Sequence, residues 1–346
     1  MREDPLGVVM SRAIARGPTV AAVVIVLVVL VGVAIAAGVL GAPRVTGVRN
    51  RFAGVNRTTT LVETAVAIDN PNPVGVRLGS LAVDYTVRLN DVAIANGSRR
   101  GLDVPAGNST LTLTTAMNND RIPTWWVTHI RNGEHTTMRV DATVHSGLLG
   151  RSIEATPVTR SVDTDILSAF NSTATRPIDA HNPLISDPVL YVNETTAAWG
   201  DVSNATTPID MTFTVYDPKP APYTVTKVGY VVTMNGVSVG RGETARGVVV
   251  PPHTPTTVDA TTVIQNDRLP DWWVTHLRRG QVTTLRITFV ATVRLPGGRE
   301  VSVPLRALTY RKTFRTDFFG TGGTAIGDVN ASSTPAQSRP LGPLSA

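Results

Sequence analysis

The segment Asn119 to Arg139 (NDRIPTWWVTHIRNGEHTTMR) recurs 147 residues later as Asn266 to Arg286 (NDRLPDWWVTHLRRGQVTTLR), with 14 of 21 positions identical. The chain is a tandem duplication, so whatever it folds into must be built twice. The same offset pairs Phe52 with Trp199, Thr59-Thr60 with Thr206-Thr207, and Asp69-Asn70-Pro71-Asn72-Pro73 with Tyr216-Asp217-Pro218-Lys219-Pro220. Each repeat is about 125 residues, enough to close a core of its own, unlike the short units of a solenoid. The expectation is two similar globular domains in series, over 44–167 and 191–319. The proline-bearing stretch 168–190 reads as a linker and 320–346, which lacks periodicity, as a disordered tail.

Within each repeat the pattern is that of half-buried strands. Val83, Tyr85, Val87 and Leu89 alternate with polar residues, Leu111 and Leu113 sit between threonines, and Val228, Tyr230, Val232 and Met234 repeat the first set. Asn90-Asp91 and Asn235-Gly236 then mark tight hairpin turns. The fold class expected is mainly β, two antiparallel sandwiches of immunoglobulin or fibronectin-III type.

The Trp-Trp segment departs from period two. Asp120 and Asp267 are placed to cap a helix, Pro123 and Pro270 fall in its first turn, and Gly133 and Gly280 sit where a left-handed residue ends it. Ile122, Trp125 or Trp126, and Ile130 recur at helical spacing, so one face of a short helix is expected to dock on the sheets. Two readings of Trp125, Trp126, Trp272 and Trp273 stay open: a core plug, which is favoured, or an exposed platform for stacking a ligand.

Between Thr19 and Ala42 lie residues TVAAVVIVLVVLVGVAIAAGVLGA, free of charge. A helix of this length reaches about 36 Å at about 1.5 Å per residue and would cross a hydrocarbon core of about 30 Å. It is longer than a signal-peptide core. The expectation is a single-pass membrane protein with a short cytoplasmic tail over 1–18, a transmembrane helix over 19–42 and both repeats outside the cell. Arginines on both sides of the span leave the positive-inside rule undecided. Asn-x-Ser/Thr acceptors at Asn56, Asn96, Asn108, Asn171, Asn193, Asn204 and Asn330 favour an exterior location as candidate glycosylation sites.

The net charge of +6 is spread without basic runs, which argues against a nucleic-acid partner and leaves envelope lipids, glycans or proteins. Cysteine is absent, so disulfides and thiolate chemistry are excluded. Of six histidines only His129 and His276 occupy matching positions, near the end of the helix, where imidazole can bond the last carbonyls. No histidine–carboxylate set has metal-ligand spacing, and neither a nucleophile elbow nor a phosphate loop is present. Catalytic, cofactor and metal sites are each expected to be none. Asn70, Pro71 and Asn72 read as turn chemistry ahead of any ligand role.

Asp69-Asn70-Pro71-Asn72-Pro73, Val104-Pro105-Ala106-Gly107-Asn108-Ser109 and the helix ending at Gly133 follow one another in an order that resembles the LEA type 2 family, with its WHy (water stress and hypersensitive response) domain. The second repeat departs from it at Asp217-Pro218-Lys219-Pro220 and at Pro251-Pro252-His253-Thr254. Tandem copies are similar to archaeal desiccation-related proteins, and an anchor ahead of the domain is similar to plant membrane proteins. The resemblance implies paired antiparallel sheets with one helix, and a role in desiccation or osmotic stress or in envelope stabilisation, without a reaction. Alternatives are a sandwich that holds a lipid or other apolar ligand, and a cell-surface adhesion or structural module.

Overall fold

The computed structural model describes residues 43–147, 150–154, 158–180, 186–243, 247–295 and 298–319. The apolar segment 19–42, the N-terminal residues 1–18, the stretch 320–346, His181 and Asn330 lie outside the described residues. Among the described residues no helix is long and apolar enough to cross a membrane.

The first half runs β1 (Arg44–Val55), β2 (Thr59–Asn70), β3 (Val76–Leu89), β4 (Val92–Val104), β5 (Gly107–Asn118), α1 (Ile122–Arg131), β6 (His135–Ser146), β7 (Arg151–Glu154) and β8 (Val158–Asp163). The strand pairings described in this half are antiparallel. β1-β2-β5 form one layer, and β4-β3-β6 with β7 and β8 form the other. A single residue pair, Ala95 with Met117, joins the layers along one edge. After β9 (Arg176–Ile178) the plan repeats. β10 (Leu190–Trp199), β11 (Thr206–Tyr216) and β15 (Thr256–Gln265) make one layer. β13 (Val237–Glu243), β12 (Tyr223–Met234) and β16 (Val282–Arg294), flanked by β14 (Val248–Val250), β17 (Glu300–Pro304) and β18 (Tyr310–Arg315), make the other. α2 (Leu269–Arg278) closes the second half as α1 closes the first.

Alternation drives these strands. In β2 every second residue from Thr60 to Asn70 is buried, and β16 buries Thr283, Leu285, Ile287, Phe289, Ala291 and Val293. The hairpin dipeptides behave as their chemistry dictates: Asn90 and Asn235 both take φ 53°, a left-handed conformation that asparagine tolerates. In the second half β13 and β15 approach so closely that a Cβ on Gly240 would come within 2.0 Å of the Val263 carbonyl oxygen, which excludes any side chain there.

Three sequence expectations need correction. Asp120 and Asp267 do not cap α1 and α2. A 3-10 turn (Asn119–Arg121) precedes α1, and it is the Asn118 side chain that accepts from the Asp120 amide, at 2.9 Å. The equivalent Gln265 makes no such bond. The stretch 168–190 is more than a spacer: Arg176–Ile178 pairs with Leu190–Val192 as the edge strand of the second half. Nor do the two repeats close separate cores. One continuous apolar cluster runs from Phe52, Trp125 and Trp126 into Trp272, Trp273 and Phe318, and among the described residues a smaller cluster around Val66, Ile68, Val83 and Val104 stays private to the first half.

Candidate functional site

α1 and α2 face each other at the centre of the molecule, and their burial exceeds what one docking face requires. In α1, Ile122, Trp125, Trp126, Val127, His129 and Ile130 are all buried, because the second repeat covers the side of the helix that the first repeat's sheets do not. Pro123 and Pro270 sit in the first turns, and Gly133 (φ 70°) and Gly280 (φ 65°) follow the last.

The four tryptophans form a reciprocal cluster. Trp125 meets Trp273 edge-on at 5.6 Å between ring centroids, and Trp126 meets Trp272 likewise at 5.4 Å. Their relative exposures of 0–2% leave no face for a stacked ligand. The indole N–H groups cross between repeats in matching fashion. Trp126 Nε1 donates to Thr207 Oγ1 at 3.1 Å, and Trp273 Nε1 donates to Thr60 Oγ1 at 3.1 Å. These are equivalent positions, so the contact is isologous, like that of a twofold dimer contained in one chain. Each threonine passes its own proton onward, Thr60 to Asn119 Oδ1 at 2.8 Å and Thr207 to Asn266 Oδ1 at 2.9 Å. Asn119 Nδ2 then donates to the Asn56 carbonyl and Asn266 Nδ2 to that of Ser203.

The histidines belong to a second chain of bonds and do not cap the helix carbonyls. Trp125 Nε1 donates to Thr136 Oγ1 at 2.9 Å, Thr136 lies 2.8 Å from His129 Nδ1, and His129 Nε2 lies 2.9 Å from Thr164 Oγ1. Thr164 donates its hydroxyl proton to Glu134 Oε2 at 2.9 Å, so it must accept from His129. That fixes the tautomer: Nε2 carries the proton and Nδ1 accepts from Thr136. Glu134 Oε1 in turn accepts from Trp199 Nε1 of the other repeat at 3.0 Å. The second half repeats the motif with Trp272, Thr283, His276 and Thr316, and Gln281 stands where Glu134 was. Burial lowers the pKa of His129 to about 4 and that of His276 to about 3, so both rings are neutral at pH 7. A neutral, fully hydrogen-bonded imidazole shut away from solvent orders its neighbours and offers no open position to a substrate.

Ion pairs and one further ring add to the joint. Arg57 lies 2.5 Å from Asp271 and Arg160 lies 3.6 Å from Asp317. The Phe318 ring packs edge-on against Trp125 and Trp273, at 5.9 Å from each.

The Asn-Pro-Asn turn lies apart from this centre. Asn70 is buried, and its Nδ2 donates to the carbonyls of Val74, Val104 and Pro105, while its Oδ1 accepts from the Asn72 amide and side chain. Pro71 sits exposed between them. The second repeat carries Asp217 at the place of Asn70. It is 0% exposed, and Oδ1 accepts from the Lys219 amide at 2.7 Å. Its Oδ2 has no hydrogen-bond partner among the described residues, and burial raises its pKa. Asp217→Asn replaces this unpaired acceptor with an amide donor, the group that Asn70 directs at backbone carbonyls in the first repeat, and removes a buried charge. It is expected to stabilise the protein by roughly 1–2 kcal/mol at pH 7, read as a higher urea midpoint with unchanged slope. An unchanged or lower midpoint would sink this account.

Among the acceptor asparagines, Asn96, Asn108, Asn171 and Asn204 are exposed and Asn56 and Asn193 half-buried. Among the described residues no three His, Asp or Glu side chains gather as a metal site. The partners that sequence reasoning missed are Thr60, Thr207, Thr136 and Thr283. Each is buried within a strand, and the only signal was the repetition of Thr60 and Thr136 at the 147-residue offset.

A mainly antiparallel β protein, duplicated and joined through paired helices, is the class that this architecture defines. A model of the late embryogenesis abundant protein family LEA type 2 matches residues 65–159 and again 212–307, together more than half of the chain. The chain belongs to that family. It is 28% identical over 87 residues to an uncharacterized protein of Methanocaldococcus jannaschii, covering 25% of this chain and 50% of that one. The chain therefore spans about half the length of that curated relative. Among solved structures it is similar to a protein from Archaeoglobus fulgidus (27% identity, 36% of this chain and 98% of that one, TM-score 0.33). A protein from Arabidopsis thaliana is also similar (12% identity, 33% and 74%, TM-score 0.22).

Proposed function

We propose that this is a non-catalytic protein of water stress: two sandwiches of immunoglobulin-like type, held on the membrane by residues 19–42, that protect or stabilise the cell envelope during drying or osmotic shock. The observation that carries this reading is the family match over both repeats, since the family is one of stress-related proteins without enzymatic activity. The neutral, enclosed histidines are consistent with it, because these buried, hydrogen-bonded groups serve the molecule's own joint. Contact with the envelope would be weak and reversible, through Thr-rich strand faces that stay hydrated.

Two experiments test the two parts of the proposal. A deletion strain is expected to survive drying and osmotic shock less well than its parent, and equal survival would end the stress assignment. Protease shaving of intact cells is expected to release peptides from both repeats while cytosolic markers stay protected; protection until lysis would put the repeats inside. Arg176 should be a poor cleavage site in that assay. Its segment pairs with β10, and its guanidinium bonds Thr195 Oγ1 at 2.9 Å and the Ala307 carbonyl at 3.4 Å.

A further inference from the structure

The two halves share a plan but differ inside. Between the layers of the first half lies a cavity of about 110 Å³, and the void between the layers of the second half is about 50 Å³ with a wholly apolar lining. The difference shows in matched strand positions. Leu111, Leu113, Thr115, Tyr85 and Val87 are half-exposed along the opening of the first half, whereas Val258, Ala260, Thr262, Tyr230 and Val232 are buried in the second. Where the second half has Met211, the first has the smaller Thr64. The second half seals the corresponding edge as its Tyr230 hydroxyl accepts from the Val263 amide at 3.1 Å. In the first, the Tyr85 hydroxyl turns instead to Thr115 Oγ1 at 2.7 Å.

The first cavity is also graded in polarity. Register places Phe52, Leu89, Met117 and Met138 at its inner end, where Trp273, Phe318 and Phe319 from the other repeat complete an aromatic floor. About half-way along β1 and β2 sit Asn50 and Thr64, paired in register. Thr64 Oγ1 donates to Asn50 Oδ1 at 2.7 Å, and Asn50 Nδ2 has no hydrogen-bond partner among the described residues although Asn50 is only 6% exposed. Leaving a buried amide donor orphaned is unfavourable, so an occupant that accepts from it is favoured. Arg99, exposed in β4 and lining the same cavity, has no ion-pair partner among the described residues.

We propose that the first half binds a single-chain carboxylate of fatty-acid type, its hydrocarbon end against Trp273, Phe318 and Phe319 and its carboxylate accepting from Asn50 Nδ2 and facing Arg99. Size fits: an apolar cavity of ~150 Å³ holds a benzene-sized ligand, so 110 Å³ takes a short alkyl segment, with the remainder of a longer chain in the open edge. The two donors select the head: a carboxylate only accepts, and it carries the negative charge that complements the Arg99 guanidinium. The void of the second half, with Ala197 in place of Asn50, is lined by apolar side chains without such a donor and is the internal control.

The test uses the full chain in phospholipid nanodiscs, with empty discs subtracted, and octanoate as the probe. Saturation of the protein's aromatic protons is expected to transfer to the octanoate chain, since the floor is aromatic. Thr64→Met, which copies the second half, should abolish the transfer. Asn50→Leu, which keeps apolar volume and removes the donor, should weaken binding at least tenfold, and octylammonium should not compete. Near-ultraviolet circular dichroism verifies that both variants keep the tryptophan cluster; if Thr64→Met loses it, Asn50→Leu decides. No transfer to octanoate, equal transfer in a folded Thr64→Met or Asn50→Leu variant, or octylammonium binding as well as octanoate would each overturn the proposal. None of these outcomes bears on survival of drying, so the stress assignment stands or falls separately.

Discussion

Trp273→Ala is expected to destabilise both halves of the molecule together, by about 3–5 kcal/mol. The indole is fully buried, touches Trp125 and Phe318 edge-on, and donates to Thr60 in the opposite repeat. Removing it leaves a cavity at the centre of the shared core and strands the Thr60–Asn119 pair beside a void. Calorimetry should show one transition for the parent and a single transition at lower temperature for the variant. A double-mutant cycle with Thr60→Val isolates the bond itself, with an expected coupling of about 0.5–1.5 kcal/mol across 213 residues of chain. Two resolved transitions in the parent, with only the second moved by the substitution, would mean that the halves fold independently and that the cluster is not a joint.

The second large effect is on pH. In the folded protein His129 and His276 resist protonation down to about pH 4 and about pH 3, because burial disfavours the imidazolium. In the unfolded chain both protonate near pH 6.5. Below pH 6.5 the unfolded state therefore binds more protons than the folded one, and stability falls as pH falls, toward the folded pKa values. Their contribution is fully present above pH 6.5, and between pH 7 and pH 5 the two rings together cost roughly 4 kcal/mol. The checks are urea midpoints at half-unit pH steps in the parent and in a His129→Gln, His276→Gln double variant. The parent should lose stability across pH 6.5–5, and the variant should be less stable at pH 7 but flatter across that window. A parent profile as flat as the variant's would show that the rings are not held neutral.

Much of the fold was written in short-range pattern. Strand alternation, the Asn90 and Asn235 turns, the proline and glycine limits of the Trp-Trp helix and the order of elements all depend on neighbours within a few residues, which a sequence displays directly. What escaped depends on surfaces meeting from far along the chain. Trp125 and Trp126 give the same helical pattern whether they plug one core or knit two, and nothing local to Trp126 names Thr207 as its acceptor. The 3-10 turn moved the capping role from Asp120 to Asn118, because the first bonded turn begins two residues earlier than the carboxylate suggests. In 168–190 composition suggested a tether, yet the outer edge of β10 offered unpaired backbone groups, and Arg176–Ile178 satisfied them. The cavity was hidden for a related reason: Leu111 and Leu113 alternate with threonine as they would in a closed layer, and only the position of the opposing strands leaves them half-exposed.

The crossed Trp126–Thr207 and Trp273–Thr60 bonds describe a dimer whose subunits cannot part. For two separate chains the same contact would obey mass action, weakening whenever the protein is diluted and tightening whenever its surroundings shrink. Tied in one polypeptide, the pairing holds at any protein concentration, so swelling or loss of cell water leaves its stoichiometry unchanged. Fusion also releases the molecule from the exact symmetry that identical subunits impose. One half can keep an amide and an opening where the other carries alanine and a sealed edge, a division of labour that no homodimer of a single gene product could encode.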